Sequence, residues 1–302
     1  MLPFARVTIL GLGLIGSSIA RGIRQHMPSV RVTGYDADPA VRETAVAIDL
    51  CDDVADSAGI SVIDADLVIL CVPVGAMGAV AAEFAADLPA EAIVSDVGSS
   101  KLSVIEAVRE ALPNATFIPA HPVAGTENSG PTAGFASLFH HRWCIVTPPE
   151  GSDPLAVERV SEFWRRLGAN VETMEPGHHD RVLAVTSHLP HLIAYTIVGT
   201  ASDLEEVTQS EVIKYSAGGF RDFTRIAASD PTMWRDVFLS NREAVLDMLQ
   251  RFTEDLTALQ RAIRWGKGDE LFELFSRTRA IRRSIIDQGQ DDARPDFGRS
   301  HE

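Results

Sequence analysis

The chain has 302 residues, with 42 acidic against 27 basic side chains and a formal net charge of −15. That balance leaves no surplus of Lys and Arg to displace phosphate counterions and argues against a general nucleic-acid binder. A hydrophobic share of 45% supplies a real core and excludes a largely disordered chain, while three cysteines (Cys51, Cys71, Cys144) without CxxC spacing argue against a disulfide scaffold or a four-cysteine zinc site.

The first run, Arg6–Leu10, is strand-like from its start, with no basic leader and cleavage site before it. No apolar run approaches the ~20 residues of a membrane span, so a soluble, cytoplasmic protein is expected. Further candidate strands are Val30–Tyr35, Asp66–Val72, Ala92–Asp96, Thr116–Ala120 and Trp143–Thr147. Runs such as Leu67-Val-Ile-Leu-Cys-Val72 are continuously apolar, as strands covered on both faces are. Helical stretches lie between them: Ile15, Ile19 and Ile23 recur every fourth residue, and Ala79–Leu88 is rich in alanine. This alternation predicts an α/β fold, an open and mostly parallel doubly wound sheet.

After Met174 the strand signal fades and helical periods take over to Asp287. Two domains are therefore expected: residues 1–174 as the doubly wound α/β domain and 175–287 as an all-α domain, with 288–302 a polar, mobile tail. From Pro231 to Trp265 the apolar positions Phe238, Val245, Leu249, Phe252, Leu256, Leu259 and Ile263 are spaced 7, 4, 3, 4, 3 and 4. This predicts one continuous helix, capped by Asp230 with Pro231 at its first position and on the order of 50 Å long. Such a helix either spans its own domain or buries part of its stripe against a second subunit, and its length favours the second.

Gly11-Leu-Gly13-Leu-Ile-Gly16 matches GxGxxG and passes from a strand into an amphipathic helix, the context that gives the motif meaning. Gly11 permits the tight turn, Gly13 lets the backbone approach a pyrophosphate, and Gly16 lets helix and strand pack closely. The helix N-terminus at Leu14 and Ile15 offers free N–H groups to the anion. Asp36, 20 residues beyond Gly16, ends the second strand. A carboxylate there accepts from ribose hydroxyls and repels a 2′-phosphate, so NAD is the expected cofactor over NADP. Val72 and Pro73 end the Asp66–Val72 run, where Rossmann topology covers the cofactor.

Four clusters remain: Asp96-Val-Gly-Ser-Ser-Lys101, His121-Pro-Val-Ala-Gly-Thr-Glu127, Ser187-His-Leu-Pro-His191, and Gly218-Gly-Phe-Arg-Asp-Phe-Thr-Arg225 with Trp234 downstream. The first two each follow a candidate strand and so open on the carboxyl edge of the sheet, where ligands sit in this architecture. His121 is the leading proton-handling candidate, because oxidation of a carbinol needs an acceptor on the hydroxyl and imidazole titrates nearest neutrality. A lone His before Pro is also compatible with a turn residue. His178-His-Asp180 and His188-x-x-His191 suggest a metal at first sight. The HxxH pair contains Pro190 and lacks the glutamate of HExxH, so no metal is assigned. Cys71 and Cys144 read as inert core residues. A net charge of −15 also means that an anionic substrate needs its own cation.

The order GLGLIGSS, DVGSSK, HPVAGTE, SHLPH and GGFRDFTRIAASDPTMW resembles the prephenate/arogenate (cyclohexadienyl) dehydrogenase family of tyrosine biosynthesis, over roughly Arg6 to Asp287. The resemblance implies a Rossmann domain followed by a helical domain that builds a homodimer, with a small-molecule substrate. It also implies roles by matching position. His121 contacts the substrate ring hydroxyl and assists its oxidation, and Ser99 orients that contact and approaches the nicotinamide. His191 lies in the substrate pocket, Arg225 binds a substrate carboxylate, Glu127 and Asp222 join the charged network around it, and Trp234 contributes to the pocket wall. Two rival readings share the scaffold: a β-hydroxyacid dehydrogenase or imine-reductase relative, and a non-catalytic NAD sensor. Neither gives HPxAGTE, SHLPH and GFRDFTR a joint role.

Overall fold

The computed structural model describes residues 2–126, 128–208 and 218–287. Glu127 and the tail expected at 288–302 lie outside the described residues. The chain divides into two compact units, Met1–Val245 and Leu246–Glu302.

In the larger unit, β1 (Arg6–Leu10), β2 (Arg31–Tyr35), β3 (Asp53–Val54), β4 (Leu67–Leu70), β5 (Ile93–Asp96) and β6 (Thr116–Phe117) form an all-parallel sheet in the order β3-β2-β1-β4-β5-β6. The strand order reverses between β1 and β4, which opens a crevice at their carboxyl ends. Alternating side chains supply both faces. Ile9, Leu67 and Ile69 enter one core with Ile19, Ile23, Phe163 and Trp164, whereas Leu10, Val68 and Leu70 enter the other with Phe84, Val104 and Val108. Covered on both faces, β4 is buried at every position, hence its unbroken apolar run. The helices α1 (Leu14–His26), α2 (Pro39–Ala47), α3 (Ala58–Val62), α4 (Met77–Phe84) and α5 (Leu102–Ala111) connect these strands.

A second sheet holds β7 (Ala120–Pro122), β8 (Trp143–Val146) and β9 (Asn170–Thr173), with α6 (Pro154–Arg166) between the last two. The Thr116–Ala120 run, expected as one strand, therefore splits. Pro119 has no N–H to continue the first ladder; Ile118 N–H still bonds the Val94 carbonyl, while the Pro119 carbonyl accepts from Thr147, just past β8 of the second sheet. His121 is carried across by this switch into the middle of β7.

Four helix starts share one device. Asp38-Pro39, Asp153-Pro154, Glu175-Pro176 and Asp230-Pro231 each place an acid at the cap and proline at the first helical position, and each carboxylate accepts a backbone N–H of the first turn. The Glu175 cap starts α7 (Pro176–Leu183), which runs through a π-turn at Ala184–His188 into α8 (Leu189–Thr208). The wider turn precedes Pro190, whose ring would otherwise press on the carbonyl four residues back. By length and composition the helix Pro176–Asp203 holds an 18-residue window, of mean hydropathy 1.4, that is apolar enough to cross a bilayer, contrary to the expectation that no such run exists. Its buried His179, Asp180 and His188 instead bond to other elements of the unit, as described below.

The stretch expected as one helix from Pro231 to Trp265 is two, α10 (Pro231–Ser240) and α11 (Arg242–Arg264), preceded by α9 (Gly218–Thr224) and a 3-10 turn at Arg225–Ala228. Asn241 interrupts it at φ −107°, ψ 34°. Its buried side-chain amide bonds the Asp180 carbonyl at 2.8 Å and His188 Nδ1 at 3.1 Å, and that demand outweighs continuation of the helix. The compact unit extends past residue 174 for a related reason: α10 lies against the turn at Val74–Ala76, and Ser240 bonds Ser100 at 2.9 Å.

In the smaller unit α11 is followed by α12 (Gly268–Asp287), with Gly266 at φ +63° making the turn between them. Leu256, Ile263, Trp265, Phe272, Phe275 and Ile281 are all exposed there.

Candidate active site

The β1–α1 turn is built from glycines with separate tasks. Gly11 adopts φ +98°, and a Cβ there would collide with the Cys71 carbonyl of the neighbouring strand end and press on Val72. A Cβ on Gly16 would strike the Gly11 carbonyl, whereas one on Gly13 would meet nothing within 4 Å. The space over Gly13 is thus open on the protein side. Gly13 caps α1 without any side-chain hydrogen bond, so the first N–H groups of the helix, at Leu14 and Ile15, keep no side-chain acceptor. Asp36, half-buried just past β2, accepts from Leu12 N at 2.8 Å and Asp38 N at 3.0 Å, which fixes its carboxylate beside the glycine turn. Val72 is half-buried and Pro73 exposed at the end of β4, across from that turn.

The loop after β5 carries Ser99, half-buried, then Ser100 and Lys101, both fully buried. Lys101 Nζ donates to Asp96 Oδ2 at 2.6 Å and to the Ala120 carbonyl at 2.8 Å, pinning the end of β5 to β7. The backbone N–H groups of Lys101 and Leu102 donate to the two carboxylate oxygens of Asp180 at 2.8 and 3.0 Å, so α7 caps α5. Beside that cap, His179 Nδ1 lies 2.9 Å from Asp180 Oδ1, and His179 Nε2 lies 2.9 Å from His121 Nδ1.

His121 is buried, and burial holds it neutral, its pKa well below the ordinary imidazole value; His179, the Lys101 ammonium and His188 push the same way. Burial also lowers His179, against a partial lift from Asp180. His188, fully buried and bonded by Asn241, is pushed down to about 4, chiefly by burial. The backbone of Ser99 lies beside it and the charge of His191 is felt there, so His188 links the Ser99 loop to the second histidine of SHLPH.

His191 Nδ1 donates to the Ser187 carbonyl at 2.8 Å, and its ring stacks on Trp234 with centroids 3.6 Å apart. A carbonyl only accepts, so Nδ1 carries the proton and Nε2 is left for a ligand. Burial lowers the His191 pKa, and the Arg225 guanidinium, close enough to act on it, lowers it further. Trp234 is buried, with Phe238 beyond it at 5.5 Å. Arg225 and Asp222 are exposed, one on the 3-10 turn and the other on α9. The structure thus gathers His121, His179 and Asp180 in one network and His191, Trp234 and Arg225 in another, with His188 next to both and the Ser99 backbone against His188. Glu127 lies outside the described residues. No motif flagged Lys101, His179, Asp180, His188 or Asn241 as parts of a network; Lys101 and Asp96 stood in one cluster, but their ion pair shows only in the structure.

A glycine turn at the switch point of a 3-2-1-4-5-6 sheet, flanked by an acid and opening beside a cluster of neutral histidines, defines a dinucleotide-dependent oxidoreductase. Residues 19–173 match the model of the prephenate dehydrogenase nucleotide-binding domain and 175–277 that of its dimerization domain. The cyclohexadienyl dehydrogenase of Zymomonas mobilis is 45% identical over 285 residues, covering 94% of this chain and 97% of that one. The prephenate dehydrogenase of Bacillus subtilis is 34% identical over 278 residues, covering 91% and 75%. The crystal structure of Aquifex aeolicus prephenate dehydrogenase with hydroxyphenyl propionate and NAD+ superimposes with a TM-score of 0.87 at 33% identity, over 94% and 98% of the two chains. The chain belongs to the prephenate dehydrogenase family.

Proposed function

We propose that this protein carries out the NAD-dependent oxidative decarboxylation of prephenate, arogenate or both, in tyrosine biosynthesis in the cytoplasm. The observation that carries the reading is the buried neutral His121 on the same loop-and-strand edge as Ser99, with Arg225 acting on the adjoining His191. The 45% identity to a cyclohexadienyl dehydrogenase along nearly the whole of both chains supports it.

The cofactor fits what is present. The open face of Gly13, the uncapped start of α1 and the fixed carboxylate of Asp36 would hold pyrophosphate and ribose, and the acid at that place disfavours a 2′-phosphate. When bound, the nicotinamide supplies the hydride acceptor. His121 takes up the proton of the ring hydroxyl, and a neutral imidazole is the form able to do so. Ser99 orients that contact. Arg225 binds a substrate carboxylate, a task for which a permanently charged, bidentate guanidinium suits a chain of net charge −15. His191 and Trp234 form the wall, with Asp222 in the charged surroundings of Arg225. Loss of CO₂ leaves its bonding pair in the ring and aromatises it, so orientation and charge stabilisation are the main demands on these residues.

We assign residues 1–174 to cofactor binding and 175–287 to substrate binding and dimer formation. The exposed Leu256, Ile263, Trp265, Phe272 and Phe275 give the smaller unit an apolar surface of the kind that a second copy covers. Steady-state assay of the purified protein with each substrate and each dinucleotide tests the reading. Turnover with NAD+ is expected, and silence with both substrates despite dinucleotide binding would return the hydroxyacid and sensor readings.

A further inference from the structure

In the buried chain Asp180–His179–His121 the middle histidine has no role in the proposed reaction, and the hydrogen-bond logic of the chain permits one arrangement. Both Asp180 oxygens already receive backbone N–H donors, from Lys101 and Leu102, so the carboxylate offers His179 only lone pairs. His179 Nδ1, 2.9 Å from Asp180 Oδ1, must therefore donate. His179 is fully buried, with the Lys101 ammonium acting on it, and both conditions oppose a second proton on its ring. Its Nε2 then holds a lone pair, and the only donor that can fill the 2.9 Å contact is Nδ1–H of His121. The remaining nitrogen of His121, Nε2, is in consequence an acceptor.

We propose that His179, oriented by Asp180, is a positioning residue that locks His121 in its Nδ1–H tautomer, so that Nε2 is always ready to accept the proton of the substrate hydroxyl. The inference rests on the reading of His121 as the proton acceptor, but its structural half stands apart from activity. In the opposite tautomer Nε2 would carry hydrogen and could only donate to the hydroxyl, which cannot remove its proton. The device also explains why a histidine precedes the aspartate. Asp180 is committed to capping α5, and the imidazole carries its polarity the further distance to β7.

The test has two parts. In protein labelled with [15N]histidine, long-range proton–nitrogen correlation, assigned with a His121→Asn variant, is expected to show protonated Nδ1 and unprotonated Nε2 at neutral pH. A protonated Nε2 overturns the proposal whether or not the protein is active. In the second part, His179→Phe removes the acceptor and His179→Gln restores one. The expected result is a kcat loss of about 100-fold in the phenylalanine variant with substrate KM within about threefold, and recovery to within about tenfold of wild type by glutamine. Equal losses in both variants, or a loss carried by KM, mean that His179 supports packing alone. If wild-type protein turns over neither substrate, the functional reading fails while the tautomer remains readable.

Discussion

The His191 ring lies nearly flat on Trp234, 3.6 Å between centroids and 22° between planes, while its Nδ1 is held by the Ser187 carbonyl. Ring and indole thus fix each other, and the Nε2 edge is presented in one orientation. Stacked aromatic pairs contribute about 0.5–1.5 kcal/mol beyond their burial. Trp234→Leu is expected to raise substrate KM up to about tenfold, with a smaller change in kcat and with Trp234→Phe near wild type. An unchanged KM in the leucine variant would remove Trp234 from the pocket wall.

Arg225 provides a second, sharper test of the wall. A charged hydrogen bond is worth about 1.5–3 kcal/mol, so Arg225→Ala should weaken substrate by about 10- to 100-fold. Arg225→Lys should recover only part of the loss, since an ammonium lacks the bidentate fork. Dinucleotide KM should stay constant in both. A loss confined to dinucleotide would place the arginine elsewhere.

The glycine turn separates folding from binding. Gly13→Ala meets no protein atom within 4 Å, so its Tm should stay close to wild type while dinucleotide KM rises at least about tenfold, because the methyl occupies the pyrophosphate's approach. Gly11→Ala forces an alanine to φ +98° against the Cys71 carbonyl and should lower stability by more than about 1 kcal/mol. Thermal unfolding and dinucleotide titration of the two variants check the contrast, and equal behaviour would contradict it.

Acid should loosen the larger unit through its histidines. His188 titrates near 4 when folded against about 6.5 when free, so between those pH values the unfolded chain holds the extra proton. Stability therefore rises with pH across that window, is complete above it, and is lost as pH falls from 6.5 towards 4. The difference is roughly 3 kcal/mol, and His121 and His179 act in the same direction. Urea midpoints at pH 7 and pH 4.5 should differ more in wild type than in His188→Gln. The same fall in both would show that His188 is not responsible.

What the sequence could disclose was what its own neighbours determine. Gly11, Gly13 and Gly16 sit within six residues of one another, and β4 shows its double burial in every side chain, so turn and sheet were readable directly. The two-residue β3 and the largely exposed β9 gave no alternation to find. Asn241 looked like one more helical position, because its reasons to leave the helix, Asp180 and His188, are 61 and 53 residues away. His179 and Asp180 were noticed only as possible metal ligands. Their true partners, His121 and the start of α5, are 58 and 79 residues away in the chain. Networks closed across such distances leave no local periodicity.

The proposed reaction turns on His121 as the proton acceptor of an NAD-dependent prephenate or arogenate oxidation. The most direct measurement is NADH formation by wild-type protein and His121→Asn, with substrate and dinucleotide binding followed in parallel. Wild-type protein is expected to turn over at least one substrate with NAD+, and the variant to lose about 100-fold or more in kcat with both ligands still bound. Turnover unchanged by the substitution would contradict this role of His121.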